Sequence, residues 1–186
     1  MTEYLKQLKN KYYNMRYIIA ISLIFLVIIS CSDSGKRAIK KEARIRKEAL
    51  AVAEKYAADK LTCQSKIVDI TGVIILGNDE KKYIIEPSRV LTGVINEDEE
   101  TDAIVTITSL KGKFIDIIEH LIMISEEGNL RIIRSVESDM RVITINDGII
   151  TAKVPTHSRN SPLYNCEACQ EIKNYRFING NLEEIK

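Results

Sequence analysis

Two cysteines three positions apart, Cys166 and Cys169, have the spacing in this chain that most directly suggests chemistry. A thiol redox site needs such a pair at a helix N-terminus that follows a strand. Here the pair instead follows Pro155 and Pro162 in a loop, with no βαβ pattern nearby. A zinc site needs four ligands at regular spacing. The remaining nitrogen and sulfur ligands are scattered singly along the chain: Cys63, His120 and His157.

The sequence therefore favours a local disulfide between Cys166 and Cys169. A bond from Cys63 to either of them stays open, because connectivity cannot be read from sequence. A metal site, a redox pair and free thiols are the alternatives. His120 lies in an apolar run, which predicts a core or edge histidine rather than a ligand.

The loop around the cysteine pair, residues 155–169, concentrates polar side chains. Long polar loops on a β scaffold are where binding sites tend to sit. The candidate ligand residues are His157, Arg159, Asn160 and Tyr164. A histidine beside a serine does not indicate a catalytic triad, because adjacent residues seldom place a base correctly and no acid partner is indicated. We predict no catalytic residue, and either a ligand or partner site or a hydrogen-bonded surface loop.

An acidic turn, residues 96–102, places oxygen-bearing side chains at every second position: Asn96, Asp98, Glu100 and Asp102. A tight loop wraps calcium with such alternating oxygens. With Thr92 and Gly93 before it, the segment loosely resembles the calcium loops of FG-GAP repeats. However, Val94 replaces the leading aspartate of that pattern. The favoured prediction is a solvated hairpin turn with no metal, and calcium is the alternative.

The N-terminal region has the organisation of an export signal. Residues 17–29 carry no charge, and several basic residues precede them. A basic region, a short apolar run and a small residue before a polar break are typical of a secretory signal. As a helix the apolar run would be about 20 Å long against a hydrocarbon core of about 30 Å, which disfavours a stable spanning helix.

The end of this segment, Ile28-Ile29-Ser30-Cys31, resembles the lipobox of bacterial lipoproteins. The resemblance implies that Cys31 receives a diacylglyceryl group and that a signal peptidase cuts between Ser30 and Cys31. Two acyl chains anchor a protein stably where one does not. Residues 1–30 would then be the signal peptide and residues 31–35 a lipidated tether. The alternative is an uncleaved anchor.

The resemblance also implies a location and a partner. The protein would lie in the cell envelope, on the membrane through its lipid, and Ser32 favours the outer membrane in a Gram-negative organism. No cofactor other than the covalent lipid on Cys31 is expected. Met15 begins a compact signal of its own, so whether translation starts at Met1 or Met15 stays open.

Residues 36–186 are predicted to form one exported α+β domain. The amphipathic stripe of a helix over residues 36–61 consists of Ile39, Ala43, Leu50, Ala53, Ala57 and Leu61. Its first half is basic, which suits a solvated stem or contact with anionic head groups. Residues 66–186 alternate short apolar runs with turn signals, which predicts an antiparallel meander in a curved sheet or small barrel.

The predicted strands cover ten short segments, and one of them, 114–124, also fits a helix. They are residues 66–76, 81–85, 89–95, 103–108, 114–124, 130–136, 141–145, 149–154, 175–178 and 182–185. Asn-, Asp- and Gly-containing turns between them supply the positive φ that tight hairpins need.

The function predicted from the sequence is a membrane-tethered, non-catalytic binding or envelope-structural module with a protein or glycan ligand. The alternative is a periplasmic enzyme or thiol redox factor that uses the Cys166/Cys169 loop with His157. The net charge of +1 and the absence of basic clusters with aromatics argue against a nucleic-acid partner. The sequence does not define an oligomeric state.

Overall fold

The computed structural model describes residues 36–61, 65–69, 71–96, 98–164 and 166–185. The chain divides into two compact units, Met1–Lys41 and Glu42–Lys186. Of the first unit only residues 36–41 are described, and they are helical and exposed. The predicted signal segment, Ser30, Cys31 and Cys63 lie outside the described residues. Within the described part of the chain, no helix is both long enough and apolar enough to cross a membrane.

The described residues form one helix and ten strands. The helix, α1, covers residues 36–59. The strands are β1 (Lys66–Val68), β2 (Ile74–Gly77), β3 (Lys81–Gly93), β4 (Asp102–Lys111), β5 (Phe114–Glu126), β6 (Asn129–Glu137), β7 (Arg141–Asn146), β8 (Ile149–Pro155), β9 (Gln170–Ile178) and β10 (Asn181–Ile185).

The strands form two antiparallel meanders. Sheet A has the order β1-β2-β3-β4-β5-β6, and sheet B has the order β10-β9-β8-β7. Every neighbouring pair is antiparallel and joins strands that are consecutive in the sequence. The predicted α+β class and antiparallel meander are confirmed. The small barrel is wrong, because the described strands form two antiparallel sheets and neither closes into a barrel.

Three hairpin turns follow the predicted chemistry. Each consists of a residue with positive φ followed by a glycine with positive φ: Glu127–Gly128, Asp147–Gly148 and Asn179–Gly180. Turns with such pairs match the right-handed twist of the flanking strands, whereas ordinary type I or type II turns would splay the strands apart. The turns join β5 to β6, β7 to β8 and β9 to β10, as the repeated apolar–turn–apolar rhythm predicted.

Two strand predictions need correction. The segment 66–76 is not one strand, because the Asp69 carboxylate accepts N–H bonds from Thr71 and Val73 and closes a turn between β1 and β2. Such a side-chain turn competes with the sheet ladder. The segments 81–85 and 89–95 are not separate strands, because β3 runs through both with an irregularity between Ile85 and Val90. The ambiguous segment 114–124 is strand, within β5.

Strand β4 has apolar side chains on both faces, and it defines two cores. Ala103, Val105 and Ile107 pack in one core with the helix. Ile104 packs in the other with residues of sheet B, including Ile150. Because successive side chains of a strand point to opposite faces, the helix and sheet B cover opposite faces of sheet A.

The buried face of α1 differs in part from the predicted stripe. The residues buried against sheet A are Ile45, Ala49, Ala53 and Ala57, spaced by four, with Leu50 and Leu61 partly buried beside them. Ala43 is exposed, and Ile39 is 69% exposed. Between Ala43 and Leu50 the predicted stripe has Arg46 in place of an apolar residue. On the N-terminal side of Arg46, the stripe no longer coincides with the buried face.

Polar contacts also hold the helix on the sheet. The Glu48 carboxylate accepts the backbone N–H of Leu130 at 2.7 Å. Just beyond the helix, the Lys60 ammonium lies 2.9 Å from the buried Glu119 carboxylate and 4.4 Å from the ring centroid of Tyr56. Burial opposes the charge on Lys60, but its contacts with Tyr56 and Glu119 outweigh that effect and raise its pKa. The helix is therefore attached to the sheet near its middle and just beyond its last residue, in addition to the packing of its small apolar residues.

The two sheets approach most closely where β3 ends. A Cβ atom at Gly93 would lie 2.7 Å from the backbone oxygen of Ile145 on β7 and 2.8 Å from its Cβ. Real Cβ atoms do not approach other atoms so closely, so only glycine allows this contact without movement of a strand.

We expect Gly93→Ala to lower the free energy of unfolding by about 1–3 kcal/mol, because the added methyl forces β7 away from β3. Urea unfolding followed by circular dichroism measures this. The control is Gly112→Asn, at a turn with φ of 62° and open space around it. Asparagine tolerates that conformation, so the control should stay within about 0.5 kcal/mol of the parent. Equal stability of Gly93→Ala and the parent would contradict the close approach.

Candidate functional site

A long irregularity in β3 creates the most distinctive surface of the domain. The pairing with β4 runs from Ile85 opposite Ile107 to Val90 opposite Val105. Residues 86–89 therefore lie opposite a single β4 residue, Thr106. Pro87 accounts for the break, because proline has no backbone N–H for the ladder. Bulges re-aim side chains and are enriched beside functional sites.

A cleft of about 420 Å³ lies between this bulge and the start of β7. Its polar lining consists of Glu86, Ser88, Arg89, Thr106, Arg141 and Lys153, and its apolar lining of Leu91, Met140, Val142 and Ile143. The lining comes from both sheets, so the cleft depends on how they pack. It is a concave site with charged and apolar parts, which is the general form of a small-ligand site.

The cleft carries a surplus of positive charge. Arg89 lies 3.1 Å from Glu86, and both side chains are partly exposed. Arg141 and Lys153 face each other as partners across the β7–β8 ladder. The lining therefore contains three cationic side chains and one carboxylate. Convergent cations of this kind attract anionic groups.

Beside Thr106, as its direct partner on β5, lies His120, which is fully buried. The Thr106 Oγ1 is 3.0 Å from the imidazole Nδ1, and the imidazole Nε2 is 3.2 Å from the carbonyl oxygen of Ser138. A carbonyl can only accept, so Nε2 carries a proton and donates it. In the neutral ring the Thr106 hydroxyl then donates to Nδ1. The prediction that His120 is a core or edge histidine is consistent with this geometry.

Burial lowers the pKa of His120, and the nearby charge of Arg89 acts in the same direction. Hydrogen bonding to Ser138 and the charge of Asp139 oppose this shift without reversing it. A protonated ring would lose its acceptor at Nδ1 and place a second charge near Arg89. The histidine is therefore neutral at physiological pH and is hydrogen-bonded to Thr106, which lines the cleft.

The predicted ligand loop is closed at its base. The Thr156 N–H and hydroxyl both donate to the Cys169 carbonyl, at 3.0 Å and 2.8 Å. The sulfurs of Cys166 and Cys169 are bonded, with their Cα atoms 5.1 Å apart. The residues that follow Cys166, Glu167–Cys169, form a short 3-10 helix. The local disulfide favoured by the sequence is therefore present in the structure.

Within this loop, Arg159 makes contacts that hold the loop on the domain. Its Nε donates to Asp139 at 2.6 Å, and a terminal nitrogen donates to the backbone oxygen of Asp116 at 2.8 Å. The hydrogen bond with Asp139 raises the pKa of Arg159, and Tyr164 contributes to the same shift. Arg159 is thus held by protein groups. Its partner Asp139 is next in sequence to Met140, which lines the cleft.

The other loop candidates are placed separately from the cleft. Asn160 is exposed, whereas His157 and Tyr164 are half-buried. None of the four predicted loop residues, His157, Arg159, Asn160 and Tyr164, is among those that line the cleft.

In the acidic turn, the carboxylates of Asp98 and Asp102 accept hydrogen bonds from nearby protein groups. The two oxygens of the buried Asp102 accept the N–H groups of Ile95 and Ser125 at 2.8 Å and 2.9 Å. Asp98 accepts the Asn96 amide at 2.6 Å and the Glu100 N–H at 2.9 Å. Burial raises the pKa of Asp102 despite its two N–H donors.

In the part of the chain that the structure describes, no group of three or more His, Cys, Asp or Glu side chains is arranged to hold a metal ion. The turn connects β3 to β4, and the Asp102 carboxylate also reaches Ser125 of β5. Its role in the described structure is to join three strands at one end of sheet A.

Sequence reasoning missed the cleft residues Arg89, Arg141 and Lys153. They lie on three strands, and no local motif links them. One signal was present, because Pro87 interrupts an apolar pattern and a proline within a strand indicates a bulge.

Comparisons with protein-family models, with curated proteins and with solved structures found no match to this chain. Its function therefore has to be inferred from its own residues and geometry.

We expect the stability of the domain to fall as the pH drops below about 6.5, the pKa of an ordinary histidine. The unfolded chain then binds a proton that folded His120 resists, so the loss should approach about 1.4 kcal/mol per pH unit until the folded pKa is reached. Urea unfolding between pH 7.5 and 5 measures the slope.

His120→Gln should reduce this dependence, since glutamine does not titrate. The chain has only two histidines, so His157→Gln is the matched control and should retain the parental slope. An unchanged slope in His120→Gln would show that other groups cause the pH dependence.

Proposed function

We propose that this chain is the precursor of a bacterial lipoprotein and that Cys31 carries its lipid anchor. The support is the sequence alone: an uncharged run over residues 17–29, a basic region before it, and Ile28-Ile29-Ser30-Cys31 at its end. Cleavage before Cys31 would remove residues 1–30 and leave residues 31–35 as a tether. The protein would act in the cell envelope, attached to the membrane by its acyl chains.

We further propose that the anchored domain is a binding module rather than an enzyme. The observation that carries this proposal is the cleft between the sheets, where cationic side chains and apolar side chains converge on one concave surface. Its cations suit electrostatic recognition, and its apolar residues suit burial of a hydrophobic group. An envelope-structural role would use the same domain as a spacer and leave the cleft without a ligand.

At the cleft, Thr106 and His120 are paired as a nucleophile and a base would be. The His120 ring is fully buried, and Thr106 is 7% exposed. The imidazole is also bonded on both nitrogens to groups of the protein. This arrangement suits a buried structural pair beside the cleft.

The anchor is tested by intact mass spectrometry of protein extracted from membranes. We expect a mass equal to residues 31–186 plus acyl groups. Cys31→Ser should abolish acylation and cleavage, while Cys63→Ser, the matched control, should leave both unchanged. Recovery of an unmodified full-length chain from wild-type cells would overturn the lipoprotein proposal.

The thiol redox alternative is tested through the Cys166–Cys169 bond. If the bond only staples the loop, the double variant Cys166→Ser/Cys169→Ser should lose about 2 kcal/mol or less of stability, as expected for a very short closed loop. The parent protein should not catalyse thiol–disulfide exchange with a small disulfide substrate. Catalysed exchange that disappears in the double variant would favour the redox factor.

A further inference from the structure

Arg141 on β7 and Lys153 on β8 form a like-charge pair that nothing in the described structure compensates. They are direct partners in the ladder, so their side chains leave the sheet on the same face. Like charges placed opposite each other destabilise a sheet. Within the described residues, neither side chain has a hydrogen-bond or ion-pair partner.

Other opposed like charges in the sheets do have compensation. Lys81 is opposite Lys111, but its ammonium lies 5.2 Å from the ring centroid of Tyr83. Glu119 is opposite another glutamate, but Lys60 lies 2.9 Å from its carboxylate. The uncompensated pair on β7 and β8 is therefore an exception, and it is located in the cleft.

The bulge supplies a third cation across the cleft. Arg89 is paired with Glu86, yet 43% of its side chain remains exposed. The Ser88 hydroxyl lies beside it in the lining. A guanidinium can accommodate a carboxylate or a phosphate in addition to one protein carboxylate, because it has five donors. An anion held among these groups would neutralise the surplus charge.

Apolar side chains continue the same surface. Ile143 comes two positions after Arg141 on β7 and is 37% exposed, whereas Val142 between them packs toward the core that contains Ile150. Leu91 lies on the opposite wall, on β3. A ligand with a charged head and a short hydrocarbon group would satisfy both halves of the cleft, whereas a free inorganic anion would leave the apolar half in water.

We propose that the cleft binds an amphiphilic anion: a phosphate or carboxylate head contacts Arg89, Arg141 and Lys153, and an apolar group packs on Ile143. This inference rests on the proposed binding function and names the ligand class of that module. An acidic lipid fragment and a soluble small anion share the head chemistry. Because the cleft also has apolar lining residues, we favour a ligand that carries a hydrocarbon group over a small anion without one.

The test uses the full chain purified from membranes and held in nanodiscs of zwitterionic phosphatidylcholine. It is titrated with hexyl phosphate, with inorganic phosphate and with the neutral amphiphile hexyl glucoside. Isothermal titration calorimetry gives affinities, and the NMR signal of the His120 ring reports binding through its hydrogen bond to Thr106, which lines the cleft. We expect hexyl phosphate to bind at least about tenfold more tightly than either comparison compound, because several methylenes and the charge both contribute.

Arg141→Gln and Lys153→Gln should each weaken binding of hexyl phosphate by about tenfold, since each removes a charge-assisted contact. Without ligand, both variants should be at least as stable as the parent, because each removes half of the like-charge pair. The matched control is Arg131→Gln, whose side chain is 71% exposed and paired with Glu126. It should bind hexyl phosphate as the parent does.

The outcomes separate this inference from the proposed function. Equal affinity for hexyl phosphate and hexyl glucoside, unaffected by Arg141→Gln, would overturn the anion inference and retain a binding module. Equal affinity for hexyl phosphate and inorganic phosphate would overturn the amphiphile and assign a free anion. No binding of any compound would overturn the inference and remove the support that the cleft gives to a binding function, while the mass-spectrometric test of the anchor would be unaffected.

Discussion

The structure depends on a central strand, β4, that is buried on both of its faces. On β4 the residues from Asp102 to Ile107 are all buried. A strand of this kind must be covered on both sides, because burying apolar surface is the main favourable term in folding. The helix covers one face, with Ala49 and Ala53 allowing close approach, and sheet B covers the other through Ile150. The order of the layers follows from this requirement.

The cleft is a product of the same layering. Sheet B packs on sheet A through a compact apolar contact near Gly93, and the two separate where residues 86–89 bulge out of β3. The bulge leaves Thr106 without a regular partner on β3, and its hydroxyl bonds to His120, its partner on β5. The polar side chains next to the core, Thr106 and His120, therefore bond to each other, and the charged side chains line the cleft.

Local sequence signals predicted the local structure well. Glu127–Gly128 and Asn179–Gly180 indicated tight turns, and both adopt the expected positive φ. The bond between Cys166 and Cys169 was also a local prediction, since only two residues separate them. In each case the determining contacts lie within a few positions of the chain, where propensity and turn chemistry act directly.

Contacts between distant segments could not be read in this way. Arg89 and Arg141 meet only because two sheets stack, and the sequence held no marker of the stacking geometry. The stripe of the helix was misjudged at Ile39 and Ala43, since a helical period alone does not say where the partner sheet stops. Arg159 looked like a free ligand residue, and its role became visible only with Asp139 and Asp116 beside it.

The meander order has a consequence for the time course of folding. Each strand pairs with its neighbour in the sequence, and sheet A is complete at Glu137 before sheet B begins at Arg141. Short connections of this kind close quickly, because little loop entropy is lost. As the chain emerges from its N-terminal side, sheet A can assemble while Ile104 and Ile122 still face solvent. The order of synthesis then coincides with the order of assembly, and the interval before sheet B arrives is when the chain is most prone to aggregate.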